Sequence, residues 1–237
     1  MNPIQLTSVL ALGLVSLTAL PAHAVTPFSE NFSAATLNAS RWSLTKEGGQ
    51  LSPSNGKLLY SVIDQGDENN SHIVLRGIQP RYNESWEVTV DAVNSTRTDS
   101  WTWIGVAVVN AVDFDDFVGL EISSGPGVTQ ILSDFGTNGV EAADIEKEIS
   151  TTKASLRVTF SGETKIITLW YRTAPAAAWT KHATFSTTNG TGAQRRGNWR
   201  MSNATGKFTL ALYGGGDGDT VPAGQMALDR FVIRNLK

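Results

Sequence analysis

The 237-residue sequence contains no cysteine and only three histidines. A chain without cysteine has no disulfide framework, no thiolate metal site and no cysteine nucleophile. His23 lies in the apolar N-terminal segment, so only His72 and His182 remain beyond it. Two isolated histidines supply few of the residues that a zinc site or a Ser-His-Asp triad requires. Each of them is more typical of a surface residue than of a catalytic residue.

The sequence also lacks an excess of either charge, because 19 lysines and arginines stand against 22 aspartates and glutamates, for a formal net charge of -3. This balance argues against a nucleic acid or an anionic membrane as the partner. No internal repeat or linker divides the chain. Helical patterning is confined to residues 140–149, which fit a short surface helix and a charged edge strand equally well.

The N-terminus is an apolar run without a charged side chain that ends in Ala22-His23-Ala24. This A-x-A ending predicts a secretory signal peptide over residues 1–24, although lysine and arginine are absent from its first residues. A membrane anchor is the alternative, but the run is short for a span. We expect the mature protein, residues 25–237, to be secreted to the periplasm or outside the cell, free of the membrane and monomeric.

Two stretches joined by an acidic turn give the clearest strand patterns. Over residues 101–110 the side chains alternate, so that Trp101 and Trp103 share one face and an apolar set occupies the other. Residues 117–123 offer one apolar face and one mixed face that carries Glu121. Similar runs recur about every ten residues, which is the spacing of a β-sandwich. We therefore predict an all-β fold of two antiparallel sheets.

A series of short motifs is spread along the chain in a characteristic order. They are Phe28-Ser29-Glu30-Asn31-Phe32, Arg41-Trp42, Asn55-Gly56-Lys57-Leu58, Arg81-Tyr82, Trp86-Glu87-Val88 and the terminal run from Met226 to Val232. Together they resemble the concanavalin A-like jelly-roll superfamily, and within it the laminarinase and lichenase type of glycoside hydrolase. The resemblance covers nearly all of residues 25–237 and implies that they form a single jelly-roll sandwich domain.

The resemblance implies a structural calcium ion that ties the first and last strands together. Its ligands in this chain would be the backbone carbonyls of Asn31 and Gly56 and the carboxylate of Asp229. Oxygen ligands of these two kinds are what calcium accepts. The alternative is that Asp229 caps a loop or pairs with Arg230 or Arg41.

The resemblance also implies where catalysis would occur. The catalytic strand of these hydrolases reads E-x-D-x-E, with the nucleophile, an orienting aspartate and the acid/base on one face. The matching positions here are Phe117, Gly119 and Glu121. Only the last carboxylate is present, so we expect no double-displacement catalysis. Glu121 is the catalytic candidate if the chain is active.

An inverting mechanism would instead need a replacement carboxyl group about 6.5 to 9.5 Å from Glu121. Asp115 and Asp116 precede the strand, and Glu87 and Asp91 lie on another strand. The solvated face of an antiparallel sheet is the simpler interpretation of the latter two. The clusters of jelly-roll polysaccharide lyases were not found.

Aromatic residues are the remaining candidates for ligand binding, because sugar rings stack on flat aromatic faces. We selected Trp101, Trp103, Tyr82 and Trp199, together with Glu121. From these residues we predict a non-catalytic carbohydrate-binding or carbohydrate-associated sandwich, with a polysaccharide or other glycan as its partner. The alternatives are a divergent polysaccharide hydrolase or lyase that uses Glu121, and a structural or adhesive module of the cell surface.

Overall fold

The computed structural model describes residues 24–63, 69–218, 220–222 and 224–236, so the predicted signal peptide lies outside the described residues apart from Ala24. Sixteen strands are found in this part of the chain. They are β1 Phe28–Glu30, β2 Trp42–Glu47, β3 Gly49–Ser54, β4 Lys57–Val62, β5 Asn69–Leu75, β6 Trp86–Asn94, β7 Thr102–Asn110, β8 Phe117–Gly125, β9 Val128–Thr137, β10 Val140–Glu148, β11 Lys153–Phe160, β12 Ile166–Arg172, β13 Thr180–Ser186, β14 Arg195–Arg196, β15 Phe208–Gly216 and β16 Met226–Asn235. Within the described residues, no helix is long and apolar enough to cross a membrane.

The strands form two sheets, which we call the front sheet and the back sheet. The front sheet has seven strands in the order β10-β9-β8-β7-β15-β5-β2. The back sheet has nine, in the order β14-β13-β12-β11-β6-β16-β4-β3, with β1 paired to β16. Neighbouring strands are antiparallel except for the short parallel pair β13 and β14. The predicted all-β architecture of two antiparallel sheets is confirmed.

Alternating side chains of the two sheets meet in one core. On β6 of the back sheet Trp86, Val88 and Val90 are buried, and on β7 of the front sheet Ile104 and Val106 are buried. This burial follows the period-2 pattern of the sequence, since successive side chains of a strand point to opposite faces. The other face of β7 and β8 is therefore left for a surface groove.

The ambiguous segment 140–149 is an edge strand. Its residues Val140–Glu148 form β10, which pairs with β9 and carries a register shift between Ala142 and Ile145. The strand exposes a row of charged side chains, which is typical of edge strands because charge discourages pairing with another chain. Of the two alternatives left open by the sequence, the edge strand is the one observed.

Candidate functional site

The groove on the outer face of the front sheet is lined by side chains of β7, β8, β9 and β10 and by Asn70 of β5. In register, Gly105 of β7 lies between Tyr213 of β15 and Glu121 of β8, and Glu121 is followed by Leu132 of β9. The groove encloses about 560 Å³ and is walled by Trp101 and Trp103. Such a volume is typical of ligand sites.

Glu121 lies at the floor of this groove and is almost completely buried, with 4% of its surface exposed. Burial raises its pKa well above the usual range of a glutamate, and the nearby carboxylates Asp134 and Asp144 raise it further. Removal of a carboxylate from water and the presence of like charges both favour its neutral form. Glu121 therefore tends to hold a proton, and as an acid it can donate a hydrogen bond.

Asp134 of β9 supplies a second carboxyl group at the same place. It faces Gly119 across the β8–β9 pair, and a Cβ on Gly119 would lie only 3.1 Å from its Oδ2 and 2.8 Å from the hydroxyl of Tyr213. Asp134 and Tyr213 thus fill the space that a side chain at position 119 would need. Burial first, and then Asp144 and Glu141, raise the pKa of Asp134 to about 7.

Strand β10 adds further acidic groups to the rim of the groove. Glu141, Asp144 and Glu146 all line it. The pKa of Asp144 is raised by partial burial and by its acidic neighbours, and Arg195 opposes this increase. The wall formed by β9 and β10 is therefore strongly acidic.

Tyr213 of β15 lies beside Glu121 and Asp134. Burial raises the pKa of its phenol well above the usual range, and the carboxylates of Glu121 and Asp134 raise it further. The hydroxyl is close enough to Glu121 to lower the pKa of that carboxyl group, yet it makes no hydrogen bond of good geometry within the described residues. The phenol of Tyr213 and the carboxyl group of Glu121 are therefore in close contact without a formed hydrogen bond.

Two half-buried tryptophans line the groove, as the sequence predicted for the shared face of residues 101–110. A Cβ on Gly215 would lie 2.5 Å from Nε1 of Trp103, and a Cβ on Gly125 would lie 2.6 Å from the ring of Trp101. Each indole therefore lies directly on a glycine of a neighbouring strand. Glycine at these positions permits the close approach, since any side chain there would displace the ring.

The other two predicted ligand-binding aromatics lie in the core. Tyr82 is 3% exposed and Trp199 is 2% exposed. The hydroxyl of Tyr82 bonds to Thr187, and the indole N–H of Trp199 donates to Thr137. Because both rings are enclosed by other aromatics and their polar atoms are satisfied within the fold, neither presents a free face to a ligand, and we do not include them in the site.

Three of the possible replacement carboxylates, Asp116, Glu87 and Asp91, serve other roles. Asp116 is buried, where it accepts hydrogen bonds from the Asn110 amide and the Asn138 backbone and so holds the turn before β8. Glu87 and Asp91 lie on the back sheet, where Glu87 pairs with Arg234 and Asp91 with Arg230. Neither of these two can face Glu121, because the core separates the two sheets.

Two of the three predicted calcium ligands, Asn31 and Gly56, lie close together. Asn55 and Gly56 form a tight turn with positive φ of 50° and 75°, and this turn brings Gly56 beside the Asn31 carbonyl, which would lie 3.9 Å from a Cβ on Gly56. Asp229 accepts a hydrogen bond from the backbone N–H of Arg230, which is the loop-capping alternative. Among the described residues no three acidic or histidine side chains cluster as a metal site.

Asp134 and Tyr213 are the functional candidates that the sequence analysis missed. In β9 every second side chain, Gln130, Leu132 and Asp134, lines the groove. The period-2 pattern alone therefore places Asp134 on the same face of the strand as Gln130 and Leu132. What the sequence did not contain was the pairing register, which sets Asp134 opposite Gly119. The available signal was Gly119, which stands in place of a catalytic-type side chain. A glycine inside a strand often marks the close approach of a group from a neighbouring strand.

No protein-family model matches the chain, and no curated protein sequence matches it. Solved structures do match. A Bacteroides ovatus protein described as xyloglucan PUL GH43B superposes with a TM-score of 0.60 at 16% identity, over 92% of this chain and 42% of that chain. This chain thus spans less than half of the Bacteroides ovatus chain. The activity of that whole protein therefore does not carry over to this chain.

Two lectin-type structures match over most of their own length. Lectin II from Ulex europaeus has a TM-score of 0.59 at 10% identity, over 90% of this chain and all of the lectin. The exoplasmic/lumenal domain of VIP36 has a TM-score of 0.54 at 12% identity, over 88% of this chain and 92% of that domain. Likeness at such low identity concerns the fold alone. The chain has the concanavalin A-like jelly-roll fold that its sequence motifs predicted.

Proposed function

We propose that this protein is a secreted, non-catalytic carbohydrate-binding sandwich whose front-sheet groove binds a neutral glycan. The observation that carries the proposal is the combination of Trp101 and Trp103 with the buried acid Glu121 in one groove. Flat indole faces stack on the apolar faces of sugar rings, and a few convergent polar groups fix the orientation of a ligand. The groove offers both kinds of contact.

Hydroxyl-rich ligands need donors and acceptors on the protein. Asn70, Ser123 and Gln130 line the groove beside the two tryptophans and supply amide and hydroxyl groups of both kinds. Protonated Glu121 adds a donor. A sugar that stacks on Trp103 therefore has hydrogen-bonding partners on the adjacent strands.

The acidic wall favours neutral over acidic glycans. Glu141, Asp144 and Glu146 line the groove together with Asp134. A uronate or sulfate group would be repelled by these carboxylates, and the repulsion is strong in a partly buried site because screening by water is weak there. We expect acidic polysaccharides to bind more weakly than neutral ones.

Structural neighbours and one sequence motif support the proposal, and the neighbours do so through the fold alone. Among the structural neighbours, a lectin named UEA-II was solved in complex with galactose, and a Bauhinia forficata lectin in complex with GalNAc. Export is supported by the Ala22-His23-Ala24 ending of the N-terminal run, and one structural neighbour is an exoplasmic/lumenal domain.

Replacement of Trp103 by alanine is expected to reduce glycan affinity at least about tenfold, because one stacking interaction with a sugar ring is lost. The measurement is affinity gel electrophoresis against a panel of neutral and acidic polysaccharides, followed by calorimetry on the one that is retained. Trp179→Ala is the matched control, since Trp179 packs against Arg157 of the back sheet at 4.5 Å and lies away from the groove.

If a polysaccharide retained the wild type and the Trp103→Ala protein equally, the front-sheet groove would not be the binding site. Failure of every glycan to be retained would end the carbohydrate-binding proposal and leave the adhesive alternative.

A second candidate function is hydrolysis of a polysaccharide by Glu121 and Asp134, and one observation favours it. Two carboxyl groups of raised pKa approach each other from β8 and β9, with the phenol of Tyr213 beside them. A protonated carboxyl group is the general acid of a glycosidase, and an ionised partner is its base or nucleophile. Glu121 fits the acid because it is the more deeply buried of the two, and Asp134 fits the ionised partner.

Release of reducing ends from the retained polysaccharide separates the two functions. Under the binding proposal neither the wild type nor any variant releases reducing ends. Release by the wild type that is abolished in both Glu121→Gln and Asp134→Asn would replace the binding proposal with the hydrolytic one.

We also propose that calcium is held near the Asn55-Gly56 turn by the Asn31 and Gly56 carbonyls and by Asp229. If so, a chelator lowers the melting temperature of the wild type by several degrees, because an ion that binds only the native state stabilises it. The Asp229→Asn protein should not respond to chelator, whereas the exposed-site control Asp99→Asn should respond like the wild type. An identical melting temperature of the wild type with and without chelator would rule the site out.

A further inference from the structure

The front-sheet groove continues past Asp134 into a second compartment of different chemistry. This compartment encloses about 400 Å³. It is lined mainly by apolar side chains, which are Val74, Ala107, Val109, Phe114, Phe117 and Ala211. We call it the apolar compartment.

The apolar compartment arises from the order of residues along the same strands that build the polar half. On β7 the groove face runs from Trp103 through Gly105 to Ala107 and Val109. Ala107 lies opposite Ala211 of β15 in the register. Two short side chains side by side leave a depression, and larger residues around them form its walls.

An exposed phenylalanine stands at the edge of this depression. Phe114, in the turn between β7 and β8, lines the compartment and is 62% exposed. Phe117 forms part of the wall, where its ring lies on Gly136, since a Cβ there would be 2.3 Å from the ring. An exposed aromatic side chain at the mouth of an apolar recess is a feature of ligand sites.

The apolar compartment is poorly suited to a sugar ring. The polar side chains that line it are His72, Thr209, Tyr213 and Asp134. Thr209 is only 3% exposed, and Tyr213 and Asp134 lie beside Glu121. Of the polar lining residues this leaves His72, so most hydroxyl groups of a sugar in this compartment would have no partner, and unmet polar groups are costly to bury.

The two compartments meet at one residue. Asp134 lines both the polar half with Trp101 and Trp103 and the apolar half with Ala107. A single ligand can therefore occupy both, with its sugar in the polar half and an apolar group in the other. We infer that the preferred ligand is a glycan that carries an apolar substituent, an alkyl, acyl or aryl group. Only the part of this inference that concerns the sugar of the ligand rests on the proposed function.

The test compares n-octyl β-D-glucoside, below its micelle concentration, with methyl β-D-glucoside in calorimetric titrations of the full chain. The octyl glucoside is expected to bind at least about tenfold more tightly, because each buried methylene adds to the affinity. Ala107→Phe should abolish this advantage by filling the depression. Phe114→Ser, in an exposed turn, should reduce the affinity for the octyl glucoside about threefold or more. Val112→Ser is the matched control, since Val112 lies in the same turn and is 85% exposed without lining the compartment.

Equal affinities for the two glucosides would overturn the inference, and so would an octyl advantage that persists in both Ala107→Phe and Phe114→Ser. Failure of the proposed function looks different. In that case the octyl glucoside binds in a manner sensitive to Ala107→Phe and Phe114→Ser, while Trp103→Ala changes neither this binding nor retention by any polysaccharide, and the apolar compartment stands as a site of its own.

Discussion

Replacement of Asp134 by asparagine is expected to raise the free energy of unfolding by roughly 1–3 kcal/mol at about pH 8. The pKa of this carboxyl group is raised from 3.8 to about 7 by its burial and by Asp144 and Glu141. An ionised Asp134 therefore destabilises the native state relative to the unfolded state. An amide of the same shape carries no charge, so that cost is removed.

The sign of the pH dependence follows from the raised pKa. Below about pH 4, Asp134 is protonated in the folded and the unfolded chain, and it has no effect on stability. Between about pH 4 and pH 7 the unfolded chain ionises while the native site keeps its proton, so the native state loses stability as the pH rises. Glu121, whose pKa is also raised, acts in the same direction. The advantage of Asp134→Asn should accordingly shrink to nothing as the pH falls toward 4.

Urea unfolding of the wild type and the variant at a series of pH values measures this difference. The exposed-site control is Asp99→Asn, which should follow the wild type throughout. A lower stability of Asp134→Asn at about pH 8 would mean that the charged carboxylate is stabilised by groups other than those described, and the account of the acidic floor would be wrong.

Replacement of Gly105 by alanine is expected to destabilise the fold by about 3 kcal/mol. A Cβ at this position would lie 2.2 Å from the backbone carbonyl oxygen of Leu120 and 2.7 Å from the Cα of Glu121. Backbone atoms of a paired strand cannot move aside as the end of a long side chain can. The β7–β8 pair would have to separate locally, and Glu121 would be displaced with it.

Chemical denaturation measures this loss, and Gly216→Ala on β15 provides the control. A Cβ on Gly216 would first meet a methyl group of Thr102 at 3.2 Å, a contact that a small side-chain shift relieves. We expect Gly216→Ala to remain within about 1 kcal/mol of the wild type. A Gly105→Ala protein as stable as Gly216→Ala would show that the two central strands are less closely packed than described.

Local patterns predicted the faces of the central strands. The alternation around Trp103 and Glu121 assigned one set of side chains to the core and the other to an open face, and the structure has both sets where they were expected. Period-2 alternation is a property of the strand itself, so it is readable from one sequence.

Contacts between strands that are distant in sequence were not predictable in the same way. Asp134 reaches Gly119 only because β8 and β9 pair in one particular register, and the sequence does not state that register. The burial of Tyr82 and Trp199 has a related cause. Each ring is amphipathic and fits a core or a ligand site equally well, and only the neighbours supplied by other strands, such as Phe160 and Phe185, decide between them.

The proposed function requires that a glycan bind in the front-sheet groove against Trp101 and Trp103. Proton–nitrogen NMR of the seven tryptophan indole groups, recorded while an oligosaccharide of the retained polysaccharide is added, tests it most directly. We expect chemical-shift changes concentrated at the indoles of Trp101 and Trp103, with Trp170 and Trp179 of the back sheet unchanged. Changes at Trp170 and Trp179 with none at Trp101 and Trp103 would contradict it.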